Sequence, residues 1–114
     1  MISLLAAIYI MFSHFVADFI CQTHEMAINK YNSLNHLMQH IGAYTAVLFL
    51  FMWPILGLEQ AFAFAAINGT IHLIVDFFTS KLTHYFFDKK DFHNGFVIIG
   101  FDQLIHVSTL LILF

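Results

Sequence analysis

Residues 70–81 read TIHLIVDFFTSK. His72 and Asp76 stand four positions apart in an otherwise apolar run, and a helix returns to the same face after four residues. Burying either group without a partner costs on the order of several kcal/mol. Residues 13–22, SHFVADFICQ, repeat the spacing with His14 and Asp18. One pair is compatible with an accident of packing. Two in 114 residues point to a shared polar centre inside an apolar helical protein.

The composition sets the solvent around that centre. The chain is 61% hydrophobic and only 10% charged, with 15 phenylalanines. A water-soluble domain of this size needs far more polar surface than four Lys+Arg and seven Asp+Glu provide. The bilayer is the expected solvent, and residues 1–114 are expected to form a single transmembrane domain. Net charge is −3, and no basic patch with interleaved aromatics exists, so nucleic-acid binding is excluded as a function class. A single cysteine, Cys21, rules out an intrachain disulfide and a Cys-rich zinc site.

Four apolar segments approach the roughly 20 residues that a bilayer crossing takes, at about 2–22, 35–56, 59–80 and 95–114. The expected fold is therefore all-α, a transmembrane four-helix bundle. The first segment, although it begins like a signal peptide, has no basic leader and runs straight into His14, so it reads as a retained helix. Between spans one and two lies THEMAINKYNS, taken as a loop. Pro54 and Gly57 break the chain between spans two and three. KLTHYFFDKKDFHNG mixes aromatics and charges as a short interfacial segment between helices 3 and 4 would, closed by a turn at Asn94 and Gly95.

All the cationic side chains, Lys30, Lys81, Lys89 and Lys90, fall in or beside loops one and three. The positive-inside rule then predicts a multi-pass protein of the inner (cytoplasmic) membrane with both termini outside.

Each span carries one His/Asp pair at a spacing of four: His14–Asp18, His36–His40, His72–Asp76 and Asp102–His106. A fifth, His84–Asp88, lies in the third loop, and chance placement of the eight His and five Asp would give roughly one such pair. The order inverts in the returning spans, as antiparallel helices require for stacking like residues. One layer is then His14, His40, His72 and His106. A second, about 6 Å of helix rise closer to the cytoplasm, is Asp18, Asp76, Asp102 and His36. Gln22 and Asn68 continue the same faces and Lys30, Lys81 and Gln103 stand beside them; all five are candidates for supporting the ligands or binding substrate.

Imidazole and carboxylate suit a divalent transition metal, one or two ions of zinc, iron or manganese. Metal-ligand candidates are His14, Asp18, His36, His40, His72, Asp76, Asp102 and His106. Asp18, Asp76 and Asp102 are the candidates for catalytic acid–base work.

HFVADFICQ, Lys30, HIGAY, IHLIVDFFTSK and FDQLIH together resemble a family of small bacterial and phage membrane proteins known only as domain of unknown function 3307. The likeness covers nearly the whole chain. It maps the family's pattern onto His14, Asp18, Gln22, Lys30, His40, His72, Asp76, Lys81, Asp102, Gln103 and His106, and it favours His40 over His36. It implies no activity. A looser likeness is to membrane-bound metal-dependent hydrolases, which share intramembrane His and Asp but not this motif order.

The leading expectation is a metal-dependent hydrolase of a lipid or phosphoester, with its centre opening to the cytoplasm. Two other classes use the same ingredients. A metal-ion or proton transporter or sensor needs intramembrane His and Asp, and a di-iron or haem redox protein needs paired ligands on facing helices. The expected partners are the lipid bilayer, a lipid or phosphoester substrate and a second copy of the chain in a homodimer.

Overall fold

A computed structural model describes all 114 residues, and it contains helices and no strand. α1 spans Leu4–Phe15 and runs directly into a π-helical turn, Val16–Ile20. α2 is His24–Asn29, α3 Leu34–Leu56, α4 Leu58–Asp88 and α5 Phe92–Leu113. α1 and its π turn lie against α3, α1 also meets α5, and α4 packs between α3 and α5.

Three helices, α3, α4 and α5, are long and apolar enough to cross a membrane. The first expected span differs. Leu4–Ile20 is apolar but, at 1.5 Å per residue, only about 25 Å long, short of the roughly 30 Å hydrocarbon core. The chain leaves this helix at Cys21, and Thr23 starts α2 by accepting from Met26 N at 3.2 Å. The segment expected as a plain loop thus contains a capped helical turn.

The third loop is corrected more strongly. No separate interfacial segment exists: α4 continues unbroken through Lys81 to Asp88. Its sequence there holds neither Gly nor Pro, so nothing stops the helix at the bilayer edge. At 31 residues it is about 46 Å long, well beyond the roughly 30 Å of a hydrocarbon core. The reversal comes at Lys90, which has φ 60°, and at Asp91. Asp91 caps α5, accepting from Asn94 N at 3.2 Å and from Asn94 Nδ2 at 2.7 Å. Both bonds favour its ionised form and hold its carboxyl below the usual range. Asn94 and Gly95 therefore sit in the first turn of α5 rather than in a free turn, and buried Gly95 lies against the Phe87 ring.

The α3–α4 corner is tight. Pro54 is accommodated inside the last turn of α3, and Gly57, at φ +82°, reverses the chain in one residue. Consecutive helices are thus antiparallel, and all four lysines lie at the end where α2 sits and α4 meets α5. The opposite end holds the apolar core: Ile10, Leu48, Met52, Ala61, Phe64 and Leu110 are buried together. Tyr9 ties α1 to α3 there by donating to Phe51 O at 2.6 Å.

α4 lies close against α3 at Gly69, where an added Cβ would strike the Thr45 side chain. Gly69→Ala should lower stability by about 1–3 kcal/mol through overpacking. Thermal unfolding in detergent measures it, and Thr45→Ala in the same chain should recover most of the loss. An unchanged midpoint in the single variant would mean that the contact does not set the helix spacing.

Candidate metal centre

The polar residues of four helices meet in the lysine-end half of the bundle. Asp18 comes from the π turn, His40 from α3, His72 and Asp76 from α4, and Asp102 and His106 from α5; all six are buried. The π turn widens the helix at the place where Ala17 and Asp18 both turn inward. Such turns recur at functional sites because they re-aim a side chain without breaking the helix.

His40 Nε2 lies 3.1 Å from Asp18 Oδ1 and 3.2 Å from Asp76 Oδ2. His72 Nε2 lies 3.3 and 3.4 Å from the same two oxygens and 3.1 Å from His40 Nε2. Five of the six separations among these four atoms are therefore 3.1–3.4 Å. A tetrahedral zinc ion with bonds of 2.0–2.1 Å holds its ligands about 3.3–3.4 Å apart. Imidazole and carboxylate donors at these separations can hold a metal ion.

Asp76 turns its other oxygen the opposite way. Oδ1 lies 3.3 Å from His106 Nε2, which is 3.1 Å from Asp102 Oδ2. The side chains form three groups able to hold a metal ion: His40, His72 and Asp76; Asp76, Asp102 and His106; and Asp18, His72 and His106. The two layers that the spacing predicts do not stand apart, because the side chains converge until imidazole and carboxylate interleave.

Packing orients the rings more than hydrogen bonds do. Tyr44 stacks on His72 with centroids 4.1 Å apart, and His72 on His106 at 3.8 Å. The Nδ1 atoms of His40, His72 and His106 are buried without a hydrogen-bond partner.

Around this core runs a second network. Gln103 Nε2 donates to Asp18 Oδ2 at 2.9 Å and to Asp102 Oδ2 at 3.1 Å. That fixes its Oε1 toward His14, whose Nε2 donates to it at 2.8 Å. His14 Nδ1 then accepts from the Tyr44 hydroxyl at 3.2 Å. With both nitrogens taken, His14 stands beside the three metal-capable groups rather than in any of them. Thr79 donates its hydroxyl to Asp102 Oδ1. Lys30 Nζ reaches Asp76 Oδ2 and Gln22 Oε1, each at 3.0 Å.

The family model described as "Protein of unknown function (DUF3307)" matches residues 6–114. The chain belongs to this family. No curated protein and no solved structure matches it.

Three of the sequence candidates lie away from the centre. His36 folds back on its own helix start, its N–H and Nδ1 both on Ser33 Oγ at 3.3 and 2.7 Å, because α3 begins there and its cap holds the ring. Asn68 is buried one turn beyond His72 toward the apolar end and donates to Phe64 O at 2.9 Å. Lys81 is exposed, donates to Tyr31 O at 2.7 Å and lies 4.1 Å above the Phe77 ring. Tyr44 and Thr79 join the centre without any motif that marks them. Their signal was position alone: Tyr44 follows His40 by four residues and Thr79 follows Asp76 by three, on the same helix faces.

Three buried carboxylates face one ammonium, Lys30, so losing that charge leaves the metal-free centre short of compensation. Lys30→Met should cost metal-free protein about 3–5 kcal/mol. Zinc should reduce the deficit, since a bound cation supplies the missing charge. Unfolding midpoints of both proteins with chelator and with zinc test this; equal deficits under both conditions would separate Lys30 from the cation balance.

Proposed function

We propose that this DUF3307 protein is a membrane-embedded, metal-dependent hydrolase of a lipid or phosphoester. One observation carries the reading: three overlapping His/Asp groups able to hold a metal ion lie beside a cleft of about 420 Å³ whose lining includes Asp18, Asp76 and Asp102. A divalent cation bound there would supply Lewis acidity toward an ester oxygen and would lower the pKa of a water toward about 7.

The chain's own residues supply the rest. His40, His72, Asp18 and Asp76 would hold the cation, and His106 and Asp102, next to Asp76, would have the donors for a second ion. Asp102 takes the proton of the attacking water, because Thr79 and Gln103 hold its carboxylate still at the cleft. Lys30 Nζ, already at the floor, offsets negative charge on the ester as the bond to the leaving oxygen breaks. His14, held by Tyr44, orients Gln103 and through it two carboxylates.

The transporter reading needs a route through the opposite end. The buried apolar cluster of Ile10, Leu48, Met52, Phe64 and Leu110 closes that end, which favours chemistry over conduction. In this reading α1 crosses the bilayer as a fourth, short span. The lysine end lies in the cytoplasm, both termini lie outside, and the membrane is the inner one. The metal is zinc, iron or manganese; an optical spectrum separates the di-iron and haem readings from zinc.

Metal content by mass spectrometry, on protein purified in detergent without added metal or a histidine tag, is the direct test. One or two equivalents of a transition metal are expected, lost from the His72→Ala, Asp76→Ala variant. A metal-loaded protein should then release product from a lipid or phosphoester panel, with Asp102→Asn slower by about 100-fold or more. No metal in either protein would remove the hydrolase reading.

A further inference from the structure

The cleft has a wall that hydrolysis alone does not call for. Its floor is polar, with the three aspartates, Gln22 and Lys30. One side, on α4, carries the hydroxyls of Thr79, Ser80 and Thr83, and the Ser80 Oγ is buried without a partner. An apolar side is made by Phe19, Ala27, Ile28, Phe87 and Ile99, next to the stacked rings of Tyr31 and His84 and to Gln103. Phe19 and Ile28 are themselves 47% and 51% exposed, so the apolar wall runs out to the surface of the protein. A pocket for a soluble phosphoester gains nothing from such a wall. An amphiphile whose chain stays in the bilayer while its head reaches the floor uses both parts.

Depth agrees. Asp76 precedes Lys81 by five residues, about 7 Å of helix rise. With the lysines at the headgroup layer, the floor lies just beneath it. That is the level of the ester and phosphoester bonds of a membrane lipid, and a water-soluble phosphate does not partition there.

We propose that the cleft binds a membrane lipid bearing a phosphate ester, entering sideways between the π turn with α2 on one side and α4 with α5 on the other. Its chain lies along Phe19, Ile28, Phe87 and Ile99, and its phosphate meets Lys30 Nζ and the Ser80 hydroxyl. The assignment names the substrate class of the hydrolytic site and rests on that reading for the cation that offsets the floor carboxylates.

The test is calorimetric binding to zinc-loaded protein in detergent, with metal content recorded for every sample. The probes are a short-chain di-ether lipid phosphonate, which has no bond to hydrolyse, the matching glycerol phosphonate without chains, and the di-ether alcohol without phosphonate. The lipid phosphonate should bind at least about tenfold more tightly than either partial probe. Ala27→Trp, at an exposed cleft-lining position of α2, and Ile99→Trp should each weaken it by about tenfold or more with metal content unchanged. Equal affinity for the chainless or the phosphonate-free probe, or undiminished binding in both tryptophan variants, overturns the lipid assignment and leaves the hydrolytic reading standing. Protein that holds no metal and binds none of the probes overturns both.

Discussion

Three carboxylates buried in a bundle whose exposed surface is largely apolar constitute the constraint from which the rest of the structure follows. An unpaired ionised carboxylate in such surroundings is prohibitively costly, and helices bring partners only at fixed intervals. The protein meets the cost with imidazoles one turn away on the same helices and with more from facing helices. Each aspartate is consequently shared: Asp76 alone meets His40, His72, His106 and Lys30. Sharing also ties the helices together. Asp18 fixes the short first helix to α3 and α4, and Gln103 fixes it to α5.

The same constraint explains why the polar centre sits off-centre along the bundle. One end is closed by a core of aliphatic and aromatic side chains with Tyr9 hydrogen-bonded across it. The other end carries every lysine and a short strap, α2 and its flanks, held to α4 by Lys30 on Asp76, Tyr31 stacked on His84 at 3.7 Å, and Lys81 on Tyr31 O. Compensating charge reaches the aspartates from that end alone, so access and electrostatic balance share one opening.

The spacing of His and Asp made the centre legible, because burial of charge leaves a periodic mark that lipid-facing residues do not blur. It placed His40, His72, His106 and the three aspartates in one neighbourhood, and the structure brings those six together. It misread His36, whose spacing from His40 is equally good but whose position at a helix start gives it a local partner in Ser33. The layers it implied were read from backbone rise, whereas side-chain length lets imidazoles and carboxylates meet between the levels. Nothing in VADFI announces a π turn, since no Gly or Pro marks it and the cause lies in what Asp18 must reach across the bundle. Apolar length likewise overstated the first helix and missed that α4 runs on unbroken to Asp88, because hydropathy reports where a helix stops being apolar and says nothing of where it ends.

His14 shows how a ligand-like residue becomes a support. Its spacing to Asp18 matches that of His72 to Asp76, yet Gln103 and Tyr44 take both its nitrogens. Gln103 can donate to two carboxylates only if its oxygen has a donor of its own, and His14 Nε2–H is that donor. The hydroxyl of Tyr44 fixes the tautomer that makes it so, while the Tyr44 ring braces His72. One chain of bonds from Tyr44 through His14 and Gln103 thus holds Asp18 and Asp102, carboxylates from two different helices. Where the His72–Asp76 pair supplies donors, the His14–Asp18 pair supplies one donor and the fixed geometry that lets the others converge.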